Sequence, residues 1–140
     1  MKKLIVILLA AVAVISVSFS AFAAEDKPTA KVIAYYFHGD FRCFTCYRME
    51  QYSKEVIEAN FKGALSSGKL EFKAVNVDEK TNKHFVNDYQ LYTKSLVLSL
   101  VKNGKEVKSK NLTKIWEYVM DKQRFFEYVT SEVQEFLKES

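Results

Sequence analysis

The chain has one proline, Pro28, and only four glycines in 140 residues. That scarcity excludes a Pro-rich linker, a collagen-like repeat and a glycine loop that could cradle phosphate. No segment repeats at the period of a solenoid. Charge of one sign is scarce as well: 21 Lys+Arg stand against 17 Asp+Glu, a formal +4. Lys2 and Lys3 lie in a segment expected to be removed, and without them the balance is 19 to 17, or +2. No Arg/Lys cluster is interleaved with aromatics, so no nucleic-acid partner is expected. What the chain does contain is apolar and aromatic: 49% hydrophobic and 14% aromatic, beside 27% charged. That profile fits a compact domain and argues against a disordered tail or a fibre. The length fits one domain.

Residues 1–23 read MKKLIVILLAAVAVISVSFSAFA. Two lysines, an apolar run and a small-x-small triplet, Ala21-Phe22-Ala23, describe a secretory signal peptide with cleavage after Ala23. The rival reading is a retained membrane anchor, since the apolar stretch is near the minimum spanning length. Against it, Glu25 and Asp26 follow where a positive flank would be needed. No cysteine sits at the cleavage point to carry a lipid. The domain is then 24–140, about 117 residues, with a periplasmic or secreted location and no membrane contact after cleavage.

Residues 32–37 (VIAYYF) are apolar on both faces and rich in strand formers, as in a buried central strand. His38-Gly39-Asp40 is turn-like. Met49, Tyr52, Val56 and Ala59 then recur at spacings of three or four, and Ile57, Phe61 and Ala64 widen the stripe. They predict a helix over about 43–62. Alternation predicts a strand at 70–77, and Asp78 or Thr81 is placed to cap a short helix ending near 88, with Phe85 and Val86 inward. Residues 95–101 (SLVLSLV) form a third strand, Lys102-Asn103-Gly104-Lys105 a hairpin turn, and 105–109 an edge strand. Asn111 is a candidate cap for the last helical region. Its apolar positions are Ile115, Trp116, Val119, Met120, Phe126, Val129, Val133, Phe136 and Leu137, and Asp121 is placed to interrupt or recap it. Asn111-Leu112-Thr113 also matches a glycosylation sequon, relevant only in a eukaryotic secretory pathway. The expected architecture is α/β: a four-stranded mixed sheet in the order βαβαββα, with helices on both faces.

Cys43 and Cys46 are the only cysteines. In an oxidising compartment disulfides persist, but this pair would close a very short loop and gain little as a staple. The pair follows a buried strand and opens a helix. Unpaired N–H groups and the positive end of the dipole favour thiolate there. Cys43, the more exposed member, is therefore the candidate attacking sulfur. Cys46, one turn in, is the candidate resolving sulfur. Arg42 adds a positive charge of unspecified orientation. The bland alternative is an inert local disulfide.

These segments resemble the thioredoxin-like family. EFKAVNVDEKTNKHFVNDYQL and LVLSLVKNGKE are similar to its second strand, following helix and hairpin. AYYFHGDFRCFTCYRME and NLTKIWEYVMDKQRFFEYV resemble a narrower group of small exported proteins that carry the name nitrophenyl-compound nitroreductase subunit. The resemblance runs from about Lys31 to Ser140 and implies a thioredoxin-like fold, with Cys43 attacking and Cys46 resolving. Three departures stand out. Phe44-Thr45 replaces the usual pair between the cysteines. No proline stands at the family's cis-proline position, where Ser95, preceded by Lys94 and followed by Leu96, is the nearest match; a non-proline cis bond costs about 2.5–4 kcal/mol, so Lys94–Ser95 is expected trans. The family's buried acid has no counterpart, and Tyr36 lies roughly in its place. Phe41, Phe44, Thr45, Ser95 and Leu96 are the candidate substrate-binding residues.

His38 ends the first strand, five residues before Cys43. It is a candidate proton shuttle near neutral pH, or a rim histidine packed on Phe41 or Tyr35. His84 reads as a surface group. Phe37, Tyr52, Phe61, Phe72, Phe126 and Phe136 read as core. Phe41 and Phe44, bracketing Cys43, are placed to form an apolar rim for a partner peptide or an aromatic compound. The leading function is thiol–disulfide exchange, or service as a redox-active partner subunit, outside the cytoplasmic membrane. The partners are protein thiols or disulfides and a membrane electron donor or acceptor. No cofactor is expected. One alternative is soft-metal or metalloid binding through Cys43 and Cys46, with Met49 a weak further ligand that fits the buried helix stripe better. The other is a non-catalytic interaction module.

Overall fold

The computed structural model describes residues 29–140. The expected signal segment at 1–23 and its cleavage point lie outside the described residues. Strand β1 (Ala30–His38) leads to helix α1 (Phe44–Asn60) and a short α2 (Lys62–Ser66). Strand β2 (Leu70–Asn76), helix α3 (His84–Asp88), and strands β3 (Ser95–Lys102) and β4 (Lys105–Asn111) follow. Helices α4 (Ile115–Tyr118) and α5 (Lys122–Lys138) close the chain.

The sheet order is β2-β1-β3-β4. β1 runs parallel to β2 and antiparallel to β3, and β4 is antiparallel to β3. The apolar run at 32–37 is explained by this central place. Its even positions Val32, Ala34 and Tyr36 join Leu96, Leu98 and Leu100 of β3 beneath α1 and α5. Met49, Val56 and Ile57 of α1 and Phe125, Val129, Val133 and Phe136 of α5 complete that core. The odd positions face the other way, where Tyr35 and Phe37 pack with Phe85 and Tyr89 around α3. Helices therefore cover both faces, as expected. The hairpin turn places Asn103 and Gly104 at φ 51° and 77°, the left-handed pair that a tight two-residue connection requires.

Several local expectations are corrected. Asp78 and Thr81 cap no helix: α3 starts at His84 after Lys83, without a side-chain cap. The Asp78 carboxylate is used instead across the loop after β1, as described below. Asn111 does not cap the last helical region but ends β4, where its side chain donates to Ser95 Oγ at 3.4 Å. The helical region is split: Asp121 caps α5, accepting from the Arg124 N–H at 3.1 Å. That new start resets the helical phase. Phe125 becomes the fully buried ring and Phe126 is half-buried, while Trp116 and Met120 are exposed. Tyr52 and Phe72 are likewise packed against the core rather than enclosed in it.

Candidate active site

The dithiol is held at the sheet end where β1 stops. The loop after His38 is pinned from β2. Asp40 N–H donates to Asp78 Oδ2 at 2.7 Å, and Asn76 Nδ2 donates to Asp40 Oδ1 at 2.7 Å. Gly39 passes close to that carboxylate: a Cβ there would sit 2.5 Å from Asp78 Oδ2, which would have to shift. The chain then reaches Cys43 in extended conformation, and α1 begins at the next residue.

Cys43 is itself the helix cap. Its sulfur accepts the Cys46 N–H at 3.3 Å, the place that Ser, Thr, Asp or Asn usually takes. No acidic residue occupies the first turn of α1, so the positive helix end is open to a thiolate. Hydrogen bonding from the Cys46 side chain and from the Cys46 and Thr45 amides lowers the Cys43 pKa. Cys46 has the opposite setting. It is only 2% exposed, and burial raises its pKa, with the facing Cys43 thiol adding to the shift. A hydrogen bond with the Cys43 backbone and then the Lys94 charge pull it part of the way back. Both cysteines are free thiols. One turn of helix thus presents an open sulfur inclined to ionise and a covered sulfur inclined to keep its proton.

Tyr36, fully buried in β1, donates its hydroxyl to the Cys46 carbonyl at 2.7 Å. Burial raises its own pKa strongly, so it is a neutral donor there and not a proton acceptor. Arg42 does not serve Cys43: it pairs with Glu50 and lies 4.2 Å from the Tyr47 ring centroid. His38 is half-buried, with Nδ1 3.1 Å from the Gly39 carbonyl. Neither sulfur is among its hydrogen-bond partners, and its nearest ring is Tyr36, centroids 6.4 Å apart. His84 is a surface group paired with Asp88 at 2.7 Å.

Phe41 is 80% and Phe44 72% exposed, so both stand as a rim around Cys43. Thr45 is half-buried within the first turn. Ser95 and Leu96 differ from their expected role. Leu96 is fully buried opposite Tyr36, and Ser95 is almost fully buried with its hydroxyl donated to Thr93 O at 2.9 Å. Both side chains are packed away from solvent, because alternation along β3 turns them into the sheet's two faces. Lys94–Ser95 is trans, as expected. The loop before β3 is held instead by Trp116, whose Nε1 donates to Lys94 O at 2.9 Å. A hollow of about 190 Å³ beside His38 and a second of about 170 Å³ beside Trp116 flank this loop. Trp116, Tyr92, Arg48 and Met120 are the neighbours that sequence reasoning missed. The first and last had been counted among the apolar positions of the last helical region, and nothing local marked the other two.

Met49 lies in the core, away from a ligand role. Among the described residues no group of three or more His, Cys, Asp or Glu is placed to hold a metal. No helix among them is long and apolar enough to cross a membrane.

No family model matches the chain, and no curated protein does. Solved structures do. Trxlp from Edwardsiella tarda EIB202 is 22% identical, over 66% of this chain and 81% of that one, with a TM-score of 0.38. Thioredoxin from Fasciola hepatica is 25% identical, over 64% and 79%, with a TM-score of 0.38. Thioredoxin f2 from Chlamydomonas reinhardtii is 18% identical, over 71% and 82%, with a TM-score of 0.36. Independently of these matches, the chain's own strand order and strand directions make the fold thioredoxin-like. Its strand order and directions, with α1 and α5 on one face and α3 on the other, fulfil the expected architecture.

Proposed function

We propose that this protein is a thiol–disulfide oxidoreductase working through Cys43 and Cys46. One observation carries the reading: the Cys43 sulfur caps α1 in the open, while Cys46 is covered one turn deeper. In the reducing direction the Cys43 thiolate attacks a substrate disulfide. A Cys43–substrate disulfide forms, and one substrate sulfur leaves as thiolate and takes a proton. Cys46 then gives up its proton and attacks the Cys43 sulfur. The Cys43–Cys46 disulfide forms and the second substrate thiol departs. Two electrons and two protons pass to the substrate, and an external dithiol donor must restore the pair. The oxidising direction is the same sequence reversed.

The signal-like residues 1–23 support action outside the cytoplasmic membrane, in the periplasm or beyond, with a membrane protein as electron donor or acceptor. The segments AYYFHGDFRCFTCYRME and NLTKIWEYVMDKQRFFEYV support kinship with the exported group named nitrophenyl-compound nitroreductase subunit. The redox group in this proposal is the dithiol. Insulin reduction tests the reading. Cys43→Ser should reduce turnover to background. Cys46→Ser should also stop turnover but accumulate a covalent substrate adduct visible by mass spectrometry. Full activity in Cys43→Ser would overturn it.

A further inference from the structure

The exchange chemistry above leaves Lys94 without a part, yet its place is fixed from several sides. β3 pairs Ser95 with Phe37 and Leu96 with Tyr36, and the Tyr36 hydroxyl reaches the Cys46 carbonyl. Lys94 is the residue just before that pairing, so it stands at the sheet end where α1 begins. Trp116 Nε1 holds its carbonyl at 2.9 Å. Its ammonium lies 6.0 Å from the ring centroid of Phe41, two residues before Cys43. The side chain is half-buried, and no carboxylate lies within ion-pair distance of it among the described residues. His38 and Asp78 line the hollow that Lys94 also borders. The carboxylates of Asp78 and Asp40 take neutral donors of the loop after β1 and of β2 instead.

The titratable side chains that interact with Cys46 are Cys43 at the helix cap, Tyr36 of β1 and Lys94. In the free dithiol, burial raises the Cys46 pKa most and the Cys43 thiol raises it next; the Cys43 backbone and the Lys94 charge oppose them. Once Cys43 is joined to a substrate sulfur, it is neither a thiol nor a thiolate. Its two raising influences on Cys46 then end, and burial is left against the Cys43 backbone and the Lys94 charge. Lys94 therefore gains weight at the moment when Cys46 must ionise. The leading influences on Cys43 are the Cys46 thiol and the first-turn amides, not Lys94, so this charge separates the two steps.

We propose that Lys94 is a positioning residue of the resolving step, its ammonium favouring the Cys46 thiolate as Cys46 attacks the Cys43–substrate disulfide. The inference rests on the exchange reading above and assigns a residue to its second step. Cys46 releases its proton to solvent and its sulfur bonds to Cys43; the bond from Cys43 to substrate breaks, and the substrate sulfur leaves with the electron pair. Lys94 passes no proton and no electron. It acts through its charge, as a counter-ion for an anion that exists only during this step.

The test mixes the protein in its dithiol form with limiting dipyridyl disulfide, a neutral substrate that releases one absorbing pyridinethione at each step. The first phase scales with protein concentration and the second does not. Lys94→Met keeps the stem and removes the charge. For each unit by which the Cys46 pKa rises, the thiolate becomes about tenfold scarcer but about threefold more reactive, so the second phase should slow about threefold near pH 7. The first phase, read on the same sample, should hold and reports an intact fold. The deficit should shrink as pH rises and Cys46 ionises in both proteins, and Lys94→Arg should restore the second phase. An unchanged second phase in Lys94→Met, both phases slowed alike, a deficit that does not vary with pH, or Lys94→Arg as slow as Lys94→Met overturns the proposal. A wild-type protein that releases one equivalent and stops would remove the exchange reading itself, and this inference with it.

Discussion

The two sides of the first turns of α1 are built from the same few residues and have opposite surroundings. On the outer side Cys43, Phe44 and Tyr47 are open to solvent. On the inner side Cys46 and Met49 are buried, and Tyr36 reaches up from β1 to the Cys46 carbonyl. Residues three apart lie on nearly the same helix face, so depth separates the two sulfurs: Cys43 stands in the open at the cap, and Cys46 lies further along the axis under cover. The sulfur at the cap position lacks a covering layer and collects amide donors. The sulfur one turn in lies against the sheet and loses solvation. Their pKa values move apart: the Cys46 thiol's hydrogen bond and then the amide donors lower that of Cys43, and burial raises that of Cys46. The difference teaches that the chemistry comes from position. Two identical thiols become an attacker and a reserve because one helix starts where a buried strand stops.

If the inner side is structural and the outer side is not, truncations should separate them widely. Met49→Ala removes a fully buried side chain from the core beneath α1 and should cost about 2–5 kcal/mol in chemical denaturation. Phe44→Ala, on the open side, should stay within about 0.5 kcal/mol. Equal losses would mean that Phe44 is packed in solution.

Much of the inner side was legible from the amino-acid sequence. The all-apolar 32–37 segment, the 3–4 spacing from Met49 to Ala64 and the Asn103-Gly104 turn each follow from local periodicity or turn chemistry, and each lies where it should. The outer side was legible only at Cys43, Phe41 and Phe44, which are neighbours in sequence. Lys94, Trp116 and Met120 reach the site from 51 to 77 positions beyond Cys43, through β3 pairing and the break at Asp121. That break was the deciding point. A single helix from 115 onward puts Trp116 and Met120 on the buried stripe; a recapped one turns them outward and brings Phe125 in. Asp78 was misread for a related reason. A carboxylate near a helix start is a good cap, and no local signal shows that Gly39 will pass beneath it.

A smaller effect should come from the one polar bond that ties the two sides to the sheet. Tyr36→Phe keeps the ring and removes the donor to the Cys46 carbonyl. A loss of about 1 kcal/mol in unfolding free energy is expected. The reduction potential of the Cys43–Cys46 pair should shift as well, because the carbonyl belongs to the resolving residue. A stability loss with an unmoved potential would make Tyr36 purely a packing residue.

The finest test concerns the sulfurs themselves. Alkylation by iodoacetamide follows the thiolate fraction, so rate against pH reports each cysteine separately when peptides are resolved by mass. The Cys43 rate should reach half its plateau at a pH below the ordinary thiol pKa of about 8.5, since its pKa is lowered. The Cys46 rate should reach half its plateau above that pH, since burial raises its pKa. Cys46→Ala separates the causes at Cys43. It removes the facing thiol, the largest influence, but keeps the amide of residue 46. The Cys43 profile should therefore move part of the way back toward the ordinary value. An unmoved profile would assign the whole shift to the backbone donors at the helix start, and full reversion would assign it to the Cys46 thiol alone.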